Sequence, residues 1–385
     1  MKVLHVYRTY FPDSQGGLEE VIRQVCLNTR AHGVESRVFT LSTNPEPAVI
    51  EAPEGRVVRV RQSFEIASCG FTFGGLAEFR RQVEWADVVH YHFPWPYADI
   101  MHAVAGHPTP SVVTYHSDIV RQKFLSQLYR PLMNHFLGSV DRIVATSPNY
   151  FATSDVLSRF SDKVDIVPIG IDRESYPEVA LDSEAYRQVE ASYGRGFFLF
   201  VGVLRYYKGL HILLDAIREA PYEVVIVGSG PVEGELRRQA KELGLSNVRF
   251  CGYVDDTVKM ALFELCRAVV FPSYLRSEAF GVTLLEGAMC GRPLISAEVG
   301  SGTSHINVDR QTGLVVTPGC SKSLREAMDR IHAHKADAEA MGRNARRRYE
   351  ELFTGVAMGE RYAEVYRDVM LAHSARTRLA LGPAD

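Results

Sequence analysis

Short runs of β-branched and aromatic residues alternate along the chain with longer segments whose apolar positions recur at helical spacing. KVLHVY (2–7), SRVFTLS (36–42), VVRV (57–60), DVVHYH (87–92), PSVVTYH (110–116), RIVATS (142–147) and VDIVPIG (164–170) form a first series. FFLFVG (197–202), YEVVIVGSG (222–230), VRFCGYV (248–254), AVVFPS (268–273) and RPLISAE (292–298) form a second. Helical patterns such as Leu18 to His32 and Lys123 to Ser139 fall between the runs. Strands apolar on both faces and alternating with helices predict parallel sheets covered on both sides. Two such series predict two Rossmann-like, doubly wound α/β domains. The polar stretch IGIDRESYPEVALDSE, interrupted by Pro177, follows the last strand of the first series. It divides the chain into residues 1–175 and 176–355. A helical tail from about Ser323 to His373 follows the last strand run, and residues 356–385 are expected to form a closing helix packed on the first domain. ARTRLALGPAD at the end reads as frayed.

The bulk numbers narrow the class. A chain of 385 residues is long for one domain, which agrees with two series of strands. A net charge of −3 gives no reason to expect nucleic acid as a partner. Six scattered cysteines without a CxxC read as reduced thiols in a cytosolic setting, with no zinc-ligand spacing. MKVLHVYRTYFP enters a short strand directly and lacks the apolar core of a signal peptide. No run of about 18 apolar residues is present to span a bilayer.

In open α/β sheets, ligands bind beyond the carboxyl ends of strands, where loops lead into helix N-termini. The residues at those ends are therefore the candidates for chemistry. SEAFGVTLLEGAMCGRPLI (277–295) follows the AVVFPS strand; Glu278 sits in the loop and Glu286 about one turn into a helix opening at Val282 or Thr283. Neither carboxylate is expected to have a basic partner. Ionised carboxylates only accept hydrogen bonds, so a ligand rich in hydroxyls suits them, and ordinary solvated charges are the alternative. After FFLFVG, Arg205 and Lys208 precede a helix start near Gly209, a placement suited to a diphosphate. Gly228 and Gly230 in VGSGP permit a tight turn, but there is no GxGxxG and no Walker A sequence. Gly16 and Gly17 open the helix from Leu18, either presenting amides to a phosphate or simply closing a loop. His116 and Asp118 directly follow the PSVVTYH strand, and His116 reads as a ligand group or as a satisfied core histidine. Asp255 and Asp256 fit the cap of a helix before Val258 rather than a metal motif. HFPWPYADIMH (92–102) reads as a structured loop because of its prolines.

In chain order, the GG-x-E loop (Gly16, Gly17, Glu19), YHSD, FVG…R…KG, VGSGP, FPS, E-x7-E and LLEGAMCGRPLI resemble the retaining glycosyltransferases of family 4 with the GT-B fold. The resemblance spans nearly the whole chain. It implies two Rossmann-like domains facing a cleft, with a C-terminal helical tail, the first domain binding acceptor and the second a nucleotide sugar. It assigns Glu278 to donor-sugar hydroxyls, Glu286 to the nucleotide ribose, and the backbone at Phe280 and Gly281 to the diphosphate. Arg205 and Lys208 match the cationic pair that neutralises that diphosphate, although Val203 stands where the common GRL version has arginine. His116 matches a histidine near sugar and acceptor, Gly16 and Gly17 face the donor phosphates and acceptor, and the base rests near Gly252 to Val254. EVGSGTSHINVD (298–309) is similar to the GTGTSY-type segment of bacterial O-antigen mannosyl- and rhamnosyltransferases.

The resemblance thus implies a metal-independent retaining hexosyltransferase with no cofactor beyond its donor, GDP-mannose or GDP-rhamnose. Its acceptor would be a lipid-linked glycan of lipopolysaccharide O-antigen or a related polysaccharide. It would work in the cytoplasm, in peripheral contact with the inner membrane, and Lys123–Ser139 reads either as a headgroup-facing segment or as a packing helix. A nucleotide-sugar epimerase on the same scaffold and a noncatalytic nucleotide-sugar binding protein are the rival classes.

Overall fold

The computed structural model describes residues 1–66, 69–106, 109–118 and 123–381, without the side chains of 123–126 and 377–381. The last four residues of the stretch expected to fray lie outside the described residues. The chain divides into two compact units, Met1–Ile169 with Gly355–Asp385, and Gly170–Thr354. The polar stretch after the first strand series holds the crossing point, and the closing helix belongs to the first unit.

The strands of unit 1 are β1 (Lys2–Val6), β2 (Glu35–Ser42), β3 (Val49–Ala52), β4 (Gly55–Arg61), β5 (Phe64–Ile66), β6 (Cys69–Phe71), β7 (Val88–Phe93), β8 (Ser111–Tyr115), β9 (Arg142–Ala145) and β10 (Val164–Ile166). Eight of them form one sheet in the order β10-β9-β8-β7-β1-β2-β4-β3, while β5 and β6 make a separate antiparallel hairpin. Only the edge strand β3 runs antiparallel in the large sheet. Unit 2 contributes β11 (Phe198–Val201), β12 (Val224–Val227), β13 (Val248–Gly252), β14 (Ala268–Phe271), β15 (Leu294–Ala297) and β16 (Gly313–Val316). They form one parallel sheet in the order β13-β12-β11-β14-β15-β16. In each sheet the order reverses beside the first strand, at β1/β7 and at β11/β14. Those two switch points are where α/β sheets part their loops to admit a ligand.

Several elements differ from the sequence reading. VIEA, GLVV and the β5–β6 hairpin are strands too short for their alternation to stand out. HFPWPYADIMH is not a loop: its first two residues complete β7, and a helix runs from Pro96 to Ala105. Proline at a helix's first position loses no hydrogen bond, so Pro96 starts that helix instead of breaking it. ARTRLAL is also helical, because the closing helix runs Gly355–Leu381.

That helix packs against the helix Gly17–Thr29 and reaches the unit 1 sheet through two tyrosines. The Tyr366 hydroxyl pairs with His90 Nδ1 at 2.7 Å, and the Tyr362 hydroxyl pairs with Thr114 Oγ1 at 2.8 Å. Both tyrosines are fully buried, so neither hydroxyl has water as an alternative partner. Tyr366→Phe is predicted to strand His90 Nδ1 and lower stability by about 1–3 kcal/mol in urea unfolding, with little change in the m-value.

Candidate functional site

The strand order of unit 2 sets the loop after β11 beside the loop after β14. Lys208, at the end of the first loop, therefore meets Glu278, in the second. Lys208 Nζ donates to Glu278 Oε2 at 2.5 Å, and the Ser273 hydroxyl donates to the same oxygen at 3.0 Å. Lys208 also lies over the Phe271 ring, 4.7 Å from its centroid. Burial opposes charge on Lys208, but Glu278 more than offsets it, and the lysine pKa rises above its ordinary value. Backbone bonds join the loops as well, Tyr274 donating to the Tyr207 carbonyl at 3.1 Å. Arg205, on the same loop, is exposed and available to an anion.

The helix Val282–Met289 begins at Gly281, whose φ of +97° disfavours any side chain and which offers no side-chain cap. Its first amides thus keep their partial positive charge for an incoming ligand. Phe280 is buried, its ring withdrawn from solvent. The amide of Gly302 donates to the Ala279 carbonyl at 2.8 Å, and Arg276 donates to the Gly300 carbonyl at 2.6 Å. Segment 298–309 is by these bonds stitched to the Glu278 loop.

Glu286 is likewise paired. Lys259 Nζ lies 2.9 Å from Glu286 Oε1 and 2.7 Å from Asp256 Oδ1, on a helix (Asp256–Leu265) whose cap is the Asp255 carboxylate. The reading of both glutamates as lacking basic partners is corrected here. The partners are distant in sequence and brought in by β11 and β13. Lys259 was missed altogether, since VDDTVKM shows only a local Asp–Lys pair. Gly228 has φ +118°, and an added Cβ would stand 2.1 Å from the Gly202 carbonyl oxygen. Its small size is required by the neighbouring strand end, quite apart from any ligand. Val254 is half-buried in the link between β13 and the Lys259 helix, with Tyr253 and Asp255 exposed on either side of it.

In unit 1 the Glu19 carboxylate accepts from Thr9 at 2.9 Å and Ser14 at 2.7 Å, pinning the loop that leads to Gly16 and Gly17. His116 is not isolated. Its Nε2 lies 3.0 Å from His92 Nδ1, and His92 Nε2 lies 3.1 Å from His5 Nδ1. His90 stands beside them, saturated by Tyr366 and by Thr114 at 2.7 Å. Alternation along β7 places His90 and His92 on one face, and β1 pairs His5 with His90. Ring nitrogens of His5, His90 and His92 lie within 4.8 Å of one another. They do not fit a cation: His90 has both nitrogens engaged, His5 and His92 bind each other, and among the described residues no carboxylate or thiolate joins the group.

Residues 15–175 match the family described as Glycosyltransferase Family 4, and residues 182–348 match Glycosyl transferases group 1. The chain is 53% identical over 355 residues to D-rhamnosyltransferase WbpZ of Pseudomonas aeruginosa, covering 92% of each chain. The protein belongs to the family 4 glycosyltransferases. This glycosyltransferase is also 47% identical over 374 residues to O-antigen chain mannosyltransferase C of Escherichia coli, covering 97% of this chain and 100% of that one. Among solved structures, sucrose-phosphate synthase from Thermosynechococcus elongatus superposes with a TM-score of 0.78 at 24% identity, over 96% of this chain and 99% of that one. The likeness shows the GT-B fold.

Burial lowers the pKa of His5 and of His116 to about 3, and pushes His90 and His92 well below the ordinary value. The unfolded chain takes up these protons near 6.5, so it binds more protons than the folded glycosyltransferase from there down to about 3. Stability is therefore predicted to fall as pH drops below about 6.5, by up to ~1.4 kcal/mol per unit for each histidine. Guanidinium unfolding at several pH values checks this, and His5→Phe should show the shallower slope.

Proposed function

We propose that the glycosyltransferase moves mannose or rhamnose from a GDP-sugar to a hydroxyl of a lipid-linked glycan in O-antigen or related polysaccharide biosynthesis. The observation that carries this reading is the near-full-length likeness to a D-rhamnosyltransferase and an O-antigen chain mannosyltransferase. Unit 2 takes the donor and unit 1 the acceptor. Among the described residues no helix is long and apolar enough to cross a membrane. Contact with a lipid-linked acceptor is proposed to be peripheral, on the cytoplasmic face of the inner membrane.

The chemical difficulty is the departure of a diphosphate from a sugar carbon that gains positive charge. Arg205, Lys208 and the uncapped amides at Phe280–Val282 would stabilise the leaving group, so the reaction as proposed needs no metal. Glu278 would accept hydrogen bonds from the sugar hydroxyls while its charge favours the cationic carbon. Glu286, held by Lys259, would accept from the ribose hydroxyls. Gly228 and Val254 bound the space assigned to the nucleotide, and Gly16, Gly17 and His116 serve the acceptor side. Retention of configuration follows if the acceptor attacks the face that the leaving diphosphate has just left, its proton passing to a phosphate oxygen.

The test is transfer from GDP-mannose and GDP-rhamnose to lipid-linked glycan acceptors, with the product's anomeric configuration read by NMR. Retained configuration and activity that persists in EDTA are the expected outcomes. An inverted product, or activity lost in EDTA and restored by Mg²⁺, contradicts the mechanism, and donor converted without acceptor identifies an epimerase. Lys208→Ala is predicted to lower kcat by about 10²–10³, as for loss of one donor in an oxyanion site. Glu286→Gln should chiefly raise the donor KM; a fall in kcat alone would count against a ribose contact.

A further inference from the structure

The three hydrogen-bonded imidazoles behind His116 have a direction. Each neutral ring carries one N–H, so two ordered proton arrangements are open to His116–His92–His5. In the first, His116 Nε2–H donates to His92, His92 Nε2–H donates to His5, and His5 keeps its proton on Nε2. In the second, His5 Nδ1–H donates to His92, His92 Nδ1–H donates to His116 Nε2, and His116 keeps its proton on Nδ1. His5 Nε2 is buried and finds no hydrogen-bond partner among the described residues. The first arrangement strands a buried N–H there, whereas the second leaves only a lone pair. Orphaned buried donors are the rarer and costlier case.

We infer that His92 and His5 are positioning residues that lock His116 as its Nδ1–H tautomer, making it a hydrogen-bond donor to a hydroxyl oxygen and not a base. His116 keeps 6% exposure, against at most 1% for the other three, so it is the end of the row that a ligand can reach. His5 closes the far end, so the row is a dead end and conducts no proton. The rings lie edge to edge with near-parallel planes, centroids 5.3 Å apart and planes 23° apart for His92–His116, and 5.4 Å and 21° for His5–His92, as in-plane N–H···N bonds require. His90 from β7 and Tyr7 beyond β1 pack on the row, and Tyr362 and Tyr366 from the closing helix pack on His90. Tyr7, Tyr362 and Tyr366 all have pKa values raised by burial and His90 one lowered by it, so the row stays neutral at physiological pH.

The functional half of this inference rests on the acceptor role proposed for His116; the tautomer does not. Long-range ¹⁵N–¹H NMR of the full chain with labelled histidine, assigned through His116→Ala, reads the tautomer directly. A proton on His116 Nδ1 is expected at pH 7, and a proton on Nε2 overturns the lock whatever the activity. In transfer assays, His92→Leu should lower kcat by about tenfold, the rate equivalent of one hydrogen bond, with donor KM little changed. His92→Gln, whose amide can still donate to His116 Nε2, should restore most of that loss. Equal kcat in His92→Leu and wild type overturns the positioning role. Unchanged transfer by His116→Ala would instead overturn the acceptor assignment while leaving the tautomer intact. No pH limb near 6.5 should be removed by His116→Ala, and the disappearance of such a limb would show a base.

Discussion

The ion pair between Lys208 and Glu278 depends on the whole architecture of unit 2. The two residues are far apart in sequence and meet because β11 and β14 are neighbours where the strand order reverses. Both side chains are largely withdrawn from water, with 12% and 10% of their side-chain surface exposed. A buried charge left without its partner is strongly destabilising, so each residue requires the other while no ligand is present. The pair keeps a cation and an anion side by side in the loops beyond the carboxyl ends of β11 and β14. A ligand with an anionic diphosphate next to a hydroxyl-bearing ring offers complementary groups to both members. Glu286 and Lys259 repeat the device, the lysine coming from the helix after β13, two strands beyond β11.

Unit 1 uses a different chemistry at its own switch point. The loop after β1 carries Arg8 and the helix that follows it Glu19, while His5, His92 and His116 form a neutral row, and His90 fastens the closing helix through Tyr366. Burial that would be costly for charged groups is tolerable for imidazoles that bind one another. In the unit proposed to bind the donor an ion pair lies at the strand ends, and in the unit proposed to bind the acceptor a directional row of imidazoles does. That division suits a reaction in which charge departs with one substrate and the other arrives as a neutral hydroxyl.

Much of this was legible in the sequence. Continuous apolar runs between helical patterns pointed to two doubly wound sheets, and the residues after those runs proved to sit at the strand ends. Glu278, Lys208 and Gly281 come together in one small region of unit 2. What could not be read was pairing between strands distant in sequence. Lys259 meets Glu286 only through the order of the sheet, so no local pattern announces it. HYH on β7 does disclose two histidines on one face, but His5 and His116 join them only through the neighbouring strands β1 and β8. Prolines were misleading in HFPWPYADIMH because a proline that starts a helix looks, in sequence, like one that ends a strand. GLVV was passed over because a four-residue strand opening with glycine carries too little alternation to register.

As proposed above, Glu278 serves the sugar and Lys208 the diphosphate, with each occupying the other until the donor arrives. Calorimetric titration of GDP and GDP-mannose into wild type and Glu278→Gln separates the two duties. Removing the carboxylate frees Lys208, so GDP should bind at least as tightly as before. The affinity of GDP-mannose relative to GDP should fall by about tenfold, the scale of one lost charge-assisted hydrogen bond. An unchanged ratio, with both ligands weakened together, would contradict this division of duties and make the pair a structural fixture alone.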